Sequence, residues 1–274
     1  MTERIPKERI DVLLVERGLF GSREQAKRAV MAGIVFSGDR RIDKAGEKIP
    51  GDADIRVKGE RMKYVSRGGL KLEKALAVFD LSVEGKRFLD IGASTGGFTD
   101  CALQNGAVHG YALDVGYNQL AWKLREDPRV TVMERVNFRH ATPDMFTEGA
   151  PQFSTIDVSF ISLGLILPTL KSILIPGGDV ISLVKPQFEA GREKVGKKGI
   201  VRDPAVHLEV LEKIAGVAAN SGFDLIAADY SPVTGGEGNI EFLFHLRSSD
   251  EPAVRLEDGR LAEVVREAHT QLDQ

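Results

Sequence analysis

The segment Leu89-Asp-Ile-Gly-Ala-Ser-Thr-Gly-Gly-Phe98 has the composition of a glycine-rich turn between a strand and a helix. Glycines there let backbone amides approach a ligand at the carboxyl edge of a parallel sheet. Ser94 stands where the dinucleotide pattern Gly-x-Gly-x-x-Gly needs its second glycine, and no Gly-Lys-Ser/Thr follows, which excludes a P-loop. The turn residues predicted to contact a ligand are Asp90, Gly92, Ala93, Ser94, Gly96, Gly97 and Phe98.

An acidic residue ends the next predicted strand. Asp114 closes Gly110-Tyr-Ala-Leu-Asp, 24 residues after Asp90. A carboxylate at this point can accept hydrogen bonds from both hydroxyls of a ribose. The turn and Asp114 together favour a nucleoside cofactor, S-adenosylmethionine ahead of NAD, and Asn137 is a further expected contact.

Strands and helices alternate from Leu70 onward, which predicts a mostly parallel sheet with helices on both faces. The last two strands follow each other without a helix, so one edge is expected to be antiparallel. The predicted strands are 87–91, 110–114, 130–133, 153–157, 179–184, 225–229 and 241–246. The predicted helices are 70–79, 98–104, 163–172 and 204–220, and an apolar face on the terminal segment (Leu261, Val264, Val265, Ala268 and Leu272) predicts a packed helix.

The first 59 residues are predicted to form a small α+β domain, joined by a linker at 60–69 to a domain at 70–274. A helix is expected near Ile10–Leu14, and Ser22 with Gln25 has the spacing of a capping box for a second helix that ends at Gly33. Short strands are expected at 34–36 and 55–57.

Charge is distributed unevenly along the 274 residues, although the net charge is only −3. Residues 1–74 carry 18 Lys and Arg against 12 Asp and Glu, whereas the other 200 residues carry 19 against 28. A basic head predicts a polyanionic partner, and nucleic acid is one candidate. A solvated basic surface without a partner is the alternative.

Composition also excludes several classes. Hydrophobic residues make up 42% of the chain, which excludes a disordered protein, and the single cysteine, Cys101, excludes a disulfide scaffold or a Cys-based zinc site. The five histidines are scattered, so no metal is expected. No apolar run approaches the ~18 residues that would span a bilayer, and no export signal is evident. A cytoplasmic protein, a monomer or weak dimer without membrane contact, is therefore expected.

The basic head resembles the alpha-L RNA-binding motif found in a ribosomal protein and in pseudouridine synthases. Three stretches carry the resemblance: Arg9-Ile-Asp-Val-Leu-Leu14, Ser22-Arg-Glu-Gln-Ala-Lys-Arg28 and Gly33-Ile-Val-Phe-Ser-Gly38. Ser37 departs from the asparagine common in that family. The resemblance implies RNA phosphate contacts by the basic helix face, with Arg9, Arg23, Lys27 and Arg28 as candidates.

The region 64–247 resembles the FtsJ-type ribose methyltransferases, and nearly the whole chain resembles the TlyA family of rRNA 2′-O-methyltransferases, often labelled haemolysins. Four motifs in order carry the resemblance, centred on Lys71, Asp157, Lys185 and Glu241. It implies a seven-strand Rossmann-like sheet, S-adenosylmethionine as cofactor, and ribosomal subunits as partner with cytidine as target. Met62-Lys-Tyr-Val65 departs from the Arg and Trp of some relatives, which affects the linker and not the chemistry.

The same four residues suit this chemistry on physical grounds. A 2′-hydroxyl must lose its proton as it attacks a methyl group, and a lysine can accept that proton where burial and a second cation disfavour its own charge. Lys185 is predicted to be the base, Lys71 the second cation, and Asp157 and Glu241 the groups that orient the amines. Arg67 and the loop lysines Lys197 and Lys198 are additional RNA-binding candidates, although a mobile solvated loop is equally compatible with the sequence.

Three other functions remain open. A base methyltransferase of this fold commonly carries Asp/Asn-Pro-Pro-Tyr/Phe, whereas this chain has Asp157-Val-Ser-Phe160, and Cys101 is expected to be buried rather than nucleophilic. A membrane-active haemolysin would need an export signal or spanning segment. A non-catalytic RNA-binding factor would not need four polar motifs.

Overall fold

The computed structural model describes residues 6–58 and 63–272, and the chain divides into two compact units between Lys63 and Tyr64. In the first unit, two helices pack on each other through a small apolar core that includes Ile10, Leu14 and Val30. Its helices are α1 (Ile10–Glu16) and α2 (Arg23–Met31), and its strands are β1 (Lys7–Arg9), β2 (Val35–Ser37), β3 (Arg40–Arg41), β4 (Lys48–Pro50) and β5 (Ile55–Val57).

The start of α2 confirms the predicted cap with one difference. The Ser22 hydroxyl accepts a hydrogen bond from the Gln25 backbone N–H at 3.3 Å, as in a capping box. The Gln25 side chain reaches back one residue further than expected and accepts from the Gly21 N–H at 3.0 Å. Strands β1 and β4 form one antiparallel pair, and β3-β2-β5 form a second small sheet.

The second unit is built on a seven-stranded sheet of order β11-β12-β10-β9-β6-β7-β8, which confirms the predicted fold class. Strand β12 is antiparallel to both of its neighbours and lies one position in from the edge. The strands are β6 (Arg87–Ile91), β7 (His109–Asp114), β8 (Val130–Glu134), β9 (Phe153–Ile156), β10 (Asp179–Val184), β11 (Phe223–Tyr230) and β12 (Phe242–Ser248). The helices are α3 (Gly68–Val78), α4 (Gly97–Gln104), α5 (Trp122–Arg125), α6 (Leu167–Ile173), α7 (Pro186–Glu189), α8 (Pro204–Asn220) and α9 (Arg260–Leu272).

Helices cover both faces of this sheet. Adjacent residues of a strand point to opposite faces, so each strand contributes to two cores. On β6, Phe88 joins a core formed with α3, α4 and α5, whereas Leu89 joins a core formed with α6, α8 and α9. The apolar face predicted for the terminal segment packs into the second of these cores. Strand order reverses beside β6, between β7 on one side and β9 on the other, and this switch point is where open α/β sheets bind ligands.

Two predicted elements differ from the structure. Residues predicted as one helix at 163–172 form a short 3-10 turn, Leu163–Leu165, followed by α6, because Pro168 starts a helix well but cannot donate to the preceding turn. Gly68 and Gly69, assigned to the linker, belong to α3. A side chain at Gly69 would collide with the ring of Tyr64, so this glycine permits close packing rather than a break in the helix.

Candidate active site

The glycine-rich turn after β6 is fixed by one buried carboxylate. Asp90 is fully buried and accepts hydrogen bonds from the Thr99 N–H at 3.0 Å and the Thr99 hydroxyl at 2.7 Å. The Thr155 hydroxyl donates to its other oxygen at 3.0 Å. Burial raises the pKa of Asp90 to about 6, because these hydrogen bonds only partly offset the loss of water. Asp90 therefore joins β6, the start of α4 and β9.

The turn also requires a glycine at position 92. Gly92 has φ +85°, and a Cβ there would collide with the carbonyl oxygen of Asp157. The close approach brings the turn after β6 directly against the segment after β9.

Asp114, predicted as a ribose acceptor, lies at the end of β7 and holds the same turn from the other side. Its Oδ2 accepts from the Ser94 N–H at 2.8 Å, and its Oδ1 accepts from the Gly116 N–H at 2.7 Å. Each carboxylate oxygen has a second lone pair, so these bonds leave acceptor capacity for a ligand.

The four polar residues singled out in the sequence come together in a row of alternating charge. Lys71 on α3 donates to Glu241 Oε2 at 2.7 Å and lies 3.5 Å from Asp157 Oδ2. Lys185, just after β10, forms an ion pair with Asp157 Oδ1 and lies 3.4 Å from the Ser159 hydroxyl. Lys71, Lys185 and Glu241 are buried, whereas Asp157 is partly exposed. Asp157 thus lies between two ammonium groups.

Electrostatics keep the centre of this row charged. Burial alone would lower the pKa of Lys71, but the attraction of Asp157 and Glu241 outweighs burial and holds this pKa above its ordinary value. Burial would likewise raise the pKa of Asp157, but Lys71 and Lys185 hold it below its ordinary value. Lys71 has two carboxylate partners and Lys185 has one, so the two lysines are not equivalent.

A cavity of about 660 Å³ opens beside these residues. Such a volume suits a ligand of nucleoside size. Predicted residues that line it are Arg67, Lys71, Asp90, Gly92, Ala93, Ser94, Gly97, Phe98, Asp157, Lys185 and Glu241. Asp114, which holds the turn, and Gly96, which belongs to the turn, are not part of the lining. Asn137 also lies outside the lining, where its side chain caps a 3-10 helix by accepting from the Arg139 N–H at 3.2 Å.

Two phenylalanines that line this cavity were not predicted from the sequence. Phe160 is 90% exposed and adopts φ +64°, a conformation that is strained for a bulky side chain. Its ring centroid lies 4.8 Å from that of Phe188, and both rings line the cavity. The sequence offered one indication of Phe160, since it is an aromatic residue three positions after Asp157, the acidic residue at the end of a predicted strand. Ser66, Thr95, Ser159, Gln187 and the 233–237 segment line the cavity without a comparable signal.

The basic loop at 191–202 is tied to the same unit. The Asn239 side chain accepts from the Val201 N–H at 3.1 Å and donates to the Gly199 carbonyl at 2.9 Å. Lys197 and Lys198 line a separate cavity of about 370 Å³ together with Arg202. These lysines therefore lie outside the lining of the larger cavity.

In the first unit, the predicted RNA-binding residues follow two patterns. Arg9 and Arg23 both contact the buried carboxylate of Asp11, at 2.9 Å and 2.8 Å. Lys27 lies 3.8 Å from Glu24 one turn away, and Arg28 is exposed on α2.

Two features are absent from residues 6–58 and 63–272, the part of the chain that the structure describes. Within that part of the chain, no group of three or more His, Cys, Asp or Glu side chains could hold a metal ion. No helix there combines the length and the apolar character needed to cross a bilayer.

Comparison with known proteins agrees with the class that this fold and site define, a methyltransferase. An FtsJ-like methyltransferase model matches residues 64–248, and an S4 domain model matches residues 8–55. The chain therefore belongs to the FtsJ-like methyltransferase family, in a form that carries an S4 domain, and this confirms the resemblance in the sequence.

Individual relatives match almost end to end. YqxC of Bacillus subtilis, a candidate rRNA methyltransferase by its name, is 62% identical, with 97% of this chain and 95% of that protein covered. The 16S/23S rRNA (cytidine-2′-O)-methyltransferase TlyA of Mycobacterium tuberculosis is 41% identical, with 90% and 92% covered. A solved structure from Streptococcus thermophilus, described as a candidate hemolysin, is 57% identical with a TM-score of 0.78 and covers 98% of each chain.

Proposed function

We propose that this chain transfers a methyl group from S-adenosylmethionine to a ribose 2′-hydroxyl of ribosomal RNA, with cytidine as the target nucleoside. The observation that carries the proposal is the row of ion pairs Lys185–Asp157–Lys71–Glu241 at the wall of the cavity of about 660 Å³. The names of the relatives, TlyA above all, support the choice of rRNA and cytidine.

The turn residues fit the proposed cofactor. Gly92 and Gly97 line the cavity without side chains, so backbone groups can approach a ligand there. Asp114 fixes the turn and keeps acceptor capacity for ribose hydroxyls. The cofactor, when bound, supplies an electrophilic methyl group. The chain's own contribution is to orient the acceptor hydroxyl and to accept its proton.

Lys185 Nζ is the proposed proton acceptor, and Lys71 is not. Lys71 is held by two carboxylates that raise its pKa, so it stays protonated at neutral pH. Lys185 has a single carboxylate partner, Asp157, which also serves Lys71. Asp157 fixes the position of both amines, and Glu241 keeps Lys71 in place.

Phe160 and Phe188 are proposed to contact the nucleobase of the acceptor. An exposed aromatic face beside the cavity can stack on a base that leaves its helix, and base–aromatic stacking is worth ~1–3 kcal/mol. The strain at Phe160 is consistent with a side chain placed for binding rather than for packing.

The first unit is proposed to hold the RNA backbone. Arg9, Arg23, Lys27 and Arg28 lie on α2 or beside the start of α1, and phosphate contacts of this kind give affinity that depends on salt. Lys197 and Lys198 would add cations on the second unit, which also carries the row of ion pairs.

The decisive experiment is methyl transfer from labelled S-adenosylmethionine to purified small and large ribosomal subunits. Nuclease digestion and mass spectrometry of the product follow. We expect a 2′-O-methylcytidine that protects its adjacent phosphodiester from cleavage. A methyl group on a base would support a base methyltransferase instead, and lysis of liposomes without methyl transfer would support a haemolysin.

A further inference from the structure

A buried carboxylate lies between two of the proposed RNA-binding residues. Asp11 stands in the first turn of α1, and its side chain has no exposed surface. Arg9 donates to it through Nε at 2.9 Å and Nη2 at 3.1 Å. Arg23, on α2, donates through Nη2 at 2.8 Å and Nε at 3.3 Å. One carboxylate thus joins guanidinium groups from two elements.

Both arginines keep a free side for a second anion. Their side chains are 44% and 55% exposed, and a guanidinium has five N–H donors, of which each uses two on Asp11. The backbone at Gly46 also lies close to Arg9, because a Cβ built at Gly46 would stand 3.3 Å from Arg9 Nη1. Arg9 and Arg23 are therefore fixed beside each other while facing solvent.

Fixed arginines bind phosphate at a lower entropic cost than mobile ones. Immobilising a long side chain on binding is unfavourable, and a side chain already held in place has lost that freedom before the ligand arrives. The carboxylate that holds them is always charged in neutral solution, since hydrogen bonds from Arg9 and then Arg23 lower the pKa of Asp11 to about 2. Asp11 also cancels one positive charge, so the gain in order opposes a loss in charge.

We infer that Asp11 is a positioning residue for RNA: its carboxylate holds Arg9 and Arg23 as a paired phosphate-binding site, so that this negative charge strengthens the binding of a polyanion. The inference rests on the proposed function of the first unit. It goes further by assigning a role to an acidic residue that simple charge counting would class as unfavourable.

A second carboxylate provides a matched control. Glu24 lies on the same helix as Arg23, is largely exposed, and faces Lys27 at 3.8 Å. Asp11→Asn and Glu24→Gln each raise the net charge by one. Charge alone would make both variants bind RNA more tightly. The inference instead predicts weaker RNA binding for Asp11→Asn and no weakening for Glu24→Gln.

The test uses the full chain and a fluorescently labelled RNA hairpin, titrated at several salt concentrations. Asp11→Asn is expected to weaken binding about tenfold and to flatten the salt dependence, whereas Glu24→Gln leaves binding unchanged or tighter. The double variant Arg9→Lys with Arg23→Lys keeps the charge but removes the two-pronged contacts, and it should also weaken binding. If Asp11→Asn lowers the melting temperature of the first unit, this double variant tests the inference in its place.

A second set of variants distinguishes the positioning of the arginines from a merely structural role of Asp11. In a chain that already carries Arg9→Ala and Arg23→Ala, Asp11→Asn should leave RNA binding unchanged or tighter, because there are no arginines left to position. Equal weakening in both backgrounds, or tighter binding by Asp11→Asn alone, would overturn the inference. Absence of RNA binding by the unsubstituted chain would overturn the proposed function of the first unit as well.

Discussion

At the residue scale, Lys185 makes a prediction that separates the chemical step from cofactor binding. Lys185→Ala should abolish methyl transfer and leave S-adenosylmethionine affinity within a few-fold, because the variant loses the proton acceptor and keeps the glycine-rich turn. Single-turnover transfer and calorimetry measure the two properties. Lys86→Ala is the control, since Lys86 precedes β6 and lies 3.7 Å from Asp179. Near-normal turnover in Lys185→Ala would exclude it as the base.

Asp114 makes a separate prediction about the cofactor. Its two oxygens each accept from a different backbone amide, and asparagine offers only one acceptor oxygen. Asp114→Asn should therefore weaken S-adenosylmethionine binding by about 10–100-fold, the range of one lost charge-assisted hydrogen bond. Calorimetry against Asp127→Asn, a loop acid paired with Arg129, provides the comparison. Equal affinity in both variants would remove Asp114 from the cofactor site.

Asp90 gives the chain a predictable pH dependence of stability. Its pKa is about 6 in the folded state and about 4 in the unfolded state, so the folded state binds the proton more tightly. Its contribution to stability is therefore largest below pH 4 and is lost as the pH rises to about 6. In denaturant titrations, Asp90→Asn should gain up to about 3 kcal/mol relative to the unsubstituted chain between pH 4 and 7. A constant difference across that range would contradict the assignment.

At the scale of elements, the approach of β6 to the segment after β9 depends on Gly92. Gly92→Ala should destabilise the second unit by several kcal/mol and weaken cofactor binding at least tenfold, because the new Cβ meets the Asp157 carbonyl oxygen. Gly85→Ala separates collision from backbone strain, since Gly85 has φ +69° with nothing within 4 Å of the added atom. It should cost only about 1 kcal/mol. Similar losses in the two variants would show that conformation alone matters at position 92.

Elements also explain how far the sequence could predict this molecule. The glycine-rich turn and the strand-end residues Asp157 and Lys185 were predictable, because apolar runs mark where buried strands end and parallel strands share one edge. Glu241 was placed inside a strand but precedes β12 by one residue, an ordinary boundary error. The pairing of Phe160 with Phe188 and the burial of Asp11 depend on which elements lie side by side. Spacing along a chain does not contain that information.

At the scale of the whole molecule, the two units should divide binding and chemistry. A fragment of residues 64–274 should fold and bind S-adenosylmethionine like the full chain, because the glycine-rich turn, its supports and both sheet cores lie inside it. It should methylate ribosomal subunits poorly at moderate salt, since the arginines of the first unit are missing. Full methylation by the fragment at that salt would mean that the first unit does not anchor the RNA.

The position of β12 has a consequence for the order in which the parts of the second unit can form during protein synthesis. Strand β12 lies between β10 and β11, and Glu241, the partner of Lys71, directly precedes it. Residues up to 240 can therefore complete neither the sheet nor the charged row, however early they leave the ribosome. Synthesis from the N-terminus can therefore bring β6 to β10 together before the segment that completes the active-site row exists. The row is complete only once Glu241, which directly precedes β12, has been added and lies beside Lys71.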